Sequence, residues 1–243
     1  PDLLAVDPDG NLKVLRSGPS GYTTLQGSAG WSSQGLVTNA GAWDTDNRGD
    51  VIARTPEGVL YYQHGLGTGA VTGPRYQIGT GWLGIDRLIA PGDFDGDGHS
   101  DLIARRPSDG ALFLYRGSGS GKIIATRAIG SGWNVHRTIT AVGDVTGDRI
   151  PDLLAIRTSD NQLFLYPGDG RGGFTTIRTV GGSWAGYSQL IGVGDLSIDG
   201  RADIVGRRAS DGALVLFRGN GAGGFGSGSL LGLSWAKWNR WVP

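Results

Sequence analysis

Short apolar stretches recur along this chain in a fixed order, separated by turn-forming residues. Residues Thr138 to Val142 are apolar and β-rich, and Asp152 to Arg157 form a second such stretch. A turn at Ser159, Asp160 and Asn161 leads into Gln162 to Tyr166. A glycine-rich hairpin at 168–173 then leads into Phe174 to Val180. Runs of this length, rich in β-branched and aromatic residues and bounded by glycine and aspartate, predict strands. One unit therefore reads as four short strands. Other units place Asp9-Gly10, Glu57-Gly58, Asp109-Gly110 and Asp211-Gly212 at the turn. Such dipeptides tolerate the positive φ of tight hairpins.

The unit repeats. Trp31, Trp82, Trp133, Trp184 and Trp235 recur at intervals of 51 residues. Asp2, Asp50, Asp101, Asp152 and Asp203 open related segments, DLLAV, DVIAR, DLIAR, DLLAI and DIVGR. Four strands per unit at a period near 50 is the pattern of a propeller blade. The chain opens at a second strand, at Asp2, and ends at a first strand, Trp238 to Val242. Pairing these ends would close a ring and remove its open sheet edges. The expected fold is thus all-β: residues 1–243 as one five-bladed β-propeller of four-stranded antiparallel blades.

Composition narrows the function. Lysine plus arginine and aspartate plus glutamate both number 22, for a formal net charge of zero. No basic face or cluster marks a nucleic-acid or polybasic membrane binder. No apolar run is long enough for a membrane-spanning helix. Cysteine is absent, which excludes disulfides, thiolate catalysis and Cys-based zinc sites. Methionine is absent too, so a processed form or an excised domain is expected. Glycine contributes 46 of 243 residues, far above the usual ~7%, as suits many tight turns.

Between first and second strands lie four acidic segments that align without gaps: AWDTDNRGD at 42–50, DFDGDGHSD at 93–101, DVTGDRIPD at 144–152 and DLSIDGRAD at 195–203. Their pattern is D-x-D-x-D-G-x-x-D. Calcium is a hard cation that takes six to eight oxygen ligands. In a tight loop, alternate residues turn their side chains to one centre, position 7 adds a carbonyl, and glycine at position 6 allows the sharp turn. The fullest set is Asp93, Asp95, Asp97 and Asp101 with the His99 carbonyl. Asp144, Thr146, Asp148, Asp152 and the Ile150 carbonyl form a second set, although Arg149 replaces the turn glycine. Asp195, Ser197, Asp199, Asp203 and the Arg201 carbonyl form a third. The fourth keeps Asp44, Asp46 and Asp50 but has Ala42 at position 1. The alternative at every loop is an acidic turn that bonds only its own backbone.

These loops, with the DLIAR and LFLYRG strands after them, resemble FG-GAP/VCBS repeats. Related calcium loops occur in integrin α-subunit propellers and in fungal and bacterial propeller lectins. The likeness is greatest to GDxTGDGxxDLLAR repeats appended to secreted actinobacterial hydrolases, including cell-wall amidases. It covers essentially the whole chain. It implies bound Ca2+, a secreted, extracellular location and a non-catalytic module. It does not identify a ligand, since a fold does not fix a function.

Catalysis is not expected. Glycosidases generally use two carboxylates, one of them a protonated acid. Glu57 is the one glutamate, and it occupies a hairpin-turn position that holds aspartate in the other units. No G-x-S-x-G or H-E-x-x-H segment is present. Ligand contacts are expected among Trp31, Trp82, Trp133, Trp184 and Trp235, whose faces could stack on sugar rings. Packing between blades is the preferred reading of the same residues. Three residues after each Trp stand Gln34, Ile85, His136, Tyr187 and Trp238, a variable set suited to solvent or ligand contact. Of these, His136, Tyr187 and Trp238 join the ligand candidates. The leading expectation is a monomeric binding module for a glycan or cell-wall polymer, one that an attached catalytic domain would use for targeting. The alternatives are a protein-interaction or structural propeller, and a polysaccharide-acting glycosidase or lyase.

Overall fold

The computed structural model describes residues 2–18, 21–26, 28–31, 33–66, 71–234 and 240–242. In chain order the first strands are β1 (Asp2–Val6), β2 (Leu12–Gly18) and β3 (Gly21–Gln26). The next four are β4 (Leu36–Gly41), β5 (Asp50–Arg54), β6 (Leu60–Gly65) and β7 (Val71–Gly79). They are followed by β8 (Arg87–Gly92), β9 (Asp101–Arg106), β10 (Ala111–Gly117) and β11 (Ile123–Gly130). Then come β12 (His136–Gly143), β13 (Asp152–Arg157), β14 (Gln162–Tyr166) and β15 (Arg178–Ser183). The last are β16 (Tyr187–Gly194), β17 (Asp203–Arg208), β18 (Ala213–Phe217), β19 (Ser229–Ser234) and β20 (Arg240–Val242).

Four continuous stretches, β4–β7, β8–β11, β12–β15 and β16–β19, each form a four-stranded antiparallel meander. These are propeller blades. A further sheet joins the chain ends in the order β20-β1-β2-β3, with Leu4 opposite Val242 and Val6 opposite Arg240. The strands fall into two compact units, one with β1–β11 and β20, the other with β12–β19.

Burial across a blade is greatest at the second strand and least at the outer strand. Second strands are covered on both faces: DVIAR, DLIARR, DLLAIR and DIVGRR each begin with at least four buried residues. The third strand β10, ALFLYRG, alternates, whereas β6 and β18 are buried along most of their length. Outer strands β11 and β15 are largely exposed. Within each unit the first strands of successive blades lie together, β4 against β8 and β12 against β16. The approach is close. A Cβ on Gly192 would overlap the Ala141 carbonyl oxygen, so only glycine fits there.

Trp31, Trp82 and Trp184 belong to the packing between sheets. Trp31 joins Leu4, Leu12, Val37 and Val51; Trp82 joins Ile52, Leu60, Leu88 and Leu102; Trp184 joins Leu154, Leu163, Leu190 and Phe217. Their register is set by the hairpin turn. Each Trp backbone N–H donates to the turn carbonyl: Trp31 to Gly10, Trp82 to Gly58, Trp133 to Gly110 and Trp184 to Asn161, at 2.8–3.0 Å. Those turn residues all have positive φ, between 58° and 83°. The turn dipeptides and the Trp series are therefore one constraint seen twice.

Candidate metal loops and aromatic cleft

Each acidic segment links a first strand to a second strand and is folded by its own carboxylates. Asp93 Oδ1 accepts the N–H groups of Gly96 (2.8 Å) and Asp97 (3.0 Å), and its Oδ2 accepts that of Gly98 (2.9 Å). Asp144 does the same for Gly147, Asp148 and Arg149. Asp195 accepts from Asp199 and Gly200. The carboxylate at position 5 accepts the N–H of position 7 in all four loops, Asp46 from Arg48, Asp97 from His99, Asp148 from Ile150 and Asp199 from Arg201. Position 6 has positive φ throughout: Asn47 58°, Gly98 87°, Arg149 70° and Gly200 85°. Arg149 therefore takes the left-handed turn without glycine.

The aspartate at position 9 has a distinct role. Asp50, Asp101, Asp152 and Asp203 are fully buried. One oxygen of each accepts an N–H from the start of its loop: Trp43, Phe94, Val145 or Ser197. The other accepts the N–H of the glycine that ends or follows the third strand: Gly65, Gly117, Gly168 or Gly219. Position 9 thus straps the loop to the blade. Burial, with the Asp95 charge adding to it, raises the Asp101 carboxyl to about 6 despite its backbone hydrogen bonds. Burial likewise raises Asp50 and Asp152.

The 93–101 loop fits a calcium ion. One carboxylate oxygen each from Asp93, Asp95 and Asp101 lies within 4.8 Å of the others, and the donors are all hard oxygens. The Arg116 guanidinium, on β10, pairs with Asp95 and with Asp97, the latter at 2.8 Å. Among the described residues, 144–152 and 195–203 do not assemble three such carboxylates.

The ligand candidates are placed unevenly. Trp31, Trp82, Trp133 and Trp184 are at most 6% exposed, which takes most of each ring out of solvent. His136 is also buried, with Nε2 2.7 Å from the Tyr166 hydroxyl. Trp235 and Trp238 lie outside the described residues. Glu57 is exposed at its turn, and the Thr55 hydroxyl holds its carboxyl below the usual value.

Trp184 and Tyr187 meet at a cleft of 650 Å³ between β15 and the hairpin at 220–226. With Phe217 they form an aromatic cluster, ring centroids 4.8–5.3 Å apart, and Phe225 adds a further aromatic wall. Arg178, Ser183 and Asn220 supply polar groups at its rim. The sequence carries one sign of this cleft. Gly206 stands where Ala53, Ala104 and Ala155 stand in other second strands. A Cβ there would come within 2.7 Å of the Tyr187 ring. Phe217, Phe225, Arg178 and Asn220 gave no separate signal, since the cleft forms only when two blades pack.

Blades of repeated sequence, each carrying an acidic loop between its first two strands, define an all-β propeller. The model of the FG-GAP-like repeat matches residues 93–155 and 144–206, and the chain carries FG-GAP-like repeats. No curated protein sequence matches it. Among solved structures it is similar to a lectin from Agrocybe aegerita described for specific recognition of non-reducing terminal N-acetylglucosamine. The two are 20% identical with a TM-score of 0.55, over 94% of this chain and 62% of the lectin chain. That likeness is one of fold.

Proposed function

We propose that this chain is a secreted, calcium-stabilised, non-catalytic propeller of five blades, its ring completed by the pairing of β20 with β1, and that it binds a glycan or cell-wall polymer. The observation that carries the binding reading is the aromatic cleft at Trp184 and Tyr187. Its 650 Å³ lies within the usual range for ligand pockets, about 300–1,000 Å³. Aromatic walls with a few polar groups at the rim suit a sugar ring, whose C–H face is apolar and whose edge is hydroxylated. The FG-GAP-like repeats and the lectin neighbour support the same reading. Calcium is supported by the all-oxygen cluster of Asp93, Asp95 and Asp101. An attached catalytic domain would use such a module to hold it at a polymer surface.

A glycan array and a cell-wall pull-down, both in calcium buffer and including terminal N-acetylglucosamine, test the binding. Retention on at least one polysaccharide is expected, weakened at least tenfold by Tyr187→Ala. Absence of retention on every glycan would overturn the reading.

A further inference from the structure

The 42–50 loop has a partner that is absent from the 93–101 cluster. His64, the residue before the glycine that ends β6, brings Nδ1 to 2.7 Å from Asp44 Oδ2. The same nitrogen is 3.8 Å from Asp46 Oδ2 and 3.9 Å from Asp50 Oδ1. One donor atom from each of Asp44, Asp50 and His64 lies within 4.8 Å of the other two. The Asp44 side chain is only 8% exposed, yet its buried Oδ2 accepts no hydrogen bond. His64 Nδ1 is buried and likewise forms none. Their contact is short, but its geometry is not that of an N–H donating to an oxygen. A buried acceptor and a buried imidazole nitrogen therefore face a common point with no proton aligned between them.

The imidazole is held in place. Tyr62 and Tyr76 meet it edge-on, at 5.3 and 5.0 Å between ring centroids, and the two tyrosines stack on each other. The corresponding position in the next blade is Arg116, which pairs with two acids of its own loop. This place on the third strand thus faces the acidic loop. In the 42–50 loop the carboxylate of position 1 is lost to Ala42, and a nitrogen ligand stands across from what remains.

We propose that Asp44, Asp50 and His64, with Asp46 alongside, form a site for a zinc-class divalent cation rather than for calcium. Calcium takes oxygen ligands, whereas imidazole with carboxylate suits zinc and its first-row neighbours. Mixed His and Asp donors are ordinary zinc ligands. The proposal deepens the metal reading of these loops, but it does not need calcium at 93–101.

The test is a zinc titration of the full chain in saturating calcium, followed through the ¹⁵N signals of the histidine rings. The three histidines, His64, His99 and His136, make the assignment simple. The expected result is a change at His64 Nδ1 with one equivalent of zinc, and a rise in melting temperature. His64→Ala and His64→Gln should each lower zinc affinity at least tenfold while leaving the calcium-dependent rise unchanged. His64 is 30% exposed, so both variants should fold, and their metal-free melts check this. Zinc binding that survives both substitutions, or that perturbs His99 alone, would overturn the site. So would a His64 ring that responds to pH but not to zinc, as a plain ion pair with Asp44 would. Zinc binding at His64 without any calcium effect would leave this site standing and remove calcium from the proposed function.

Discussion

At the scale of single residues, the acidic loops are governed by backbone conformation before any metal is considered. Position 4 has positive φ at Gly96 and Gly147, and at Ile198 with φ 61°. A β-branched side chain is costly there, and Ile198 is 89% exposed, so it regains nothing by burial. The left-handed conformation costs an L-residue about 1–2 kcal/mol, and glycine gives back roughly 0.5–1 kcal/mol through the unfolded chain. Ile198→Gly should therefore stabilise the protein by about 0.5–1 kcal/mol, measured by urea unfolding. A destabilised variant would mean that the side chain has a partner of its own. Asp101 sets a pH dependence at the same scale. Its carboxyl is raised in the folded chain, so without metal its contribution to stability is full below the ordinary value of 3.8 and is lost as pH rises through about 6. Calcium needs the carboxylate, so protons compete with it. The calcium-dependent gain in melting temperature should shrink between pH 7 and pH 5, and a gain constant over that range would remove Asp101 from the ligand set.

At the scale of elements, the strands were legible because each second strand is a buried run opened by aspartate, and the third strands are short β-rich runs that follow a turn. The sequence also marked the turns, since Asp-Gly and Glu-Gly pairs supply the positive φ that the hairpins need. It did not show why glycine closes the third strand. A Cβ on Gly65, Gly117 or Gly219 would overlap the carbonyl oxygen of Gly49, Ser100 or Ala202, the residue before the position-9 aspartate. The loop and the third strand lie against each other there, and the glycine N–H reaches the aspartate. Gly117→Ala should cost about 3 kcal/mol, the upper end for overpacking, because the opposing atom is backbone and cannot rotate away. A thermal melt within a degree of the parent would contradict the strap. Gly206 is the opposite case, facing a side chain that can move. Gly206→Ala should displace the Tyr187 ring and weaken glycan retention while the protein stays folded. Unchanged retention, with Tyr187→Ala also silent, would take the cleft out of the binding surface.

At the scale of the whole molecule, the proposed calcium ions couple loops to blades. A ligand bound only by the folded state adds about 2.7 kcal/mol at a hundredfold excess over its dissociation constant. Chelation should lower the melting temperature and calcium should restore it, with Asp93→Ala abolishing most of the response. An identical melt in chelator and in calcium would remove the metal. The periodic features of this chain were readable in advance: the blade unit, the hairpin turns, the acidic loops and the strand that answers the N-terminus. Repetition makes them so, because a backbone constraint met in every blade leaves the same residue at the same interval. What the tertiary structure alone decided are the features that break the repeat. It brought Tyr187 and Phe217 together over Gly206. It also set His64 against Asp44. Each joins residues from different strands or blades, and side chains that meet only after packing leave no interval in the sequence to be read.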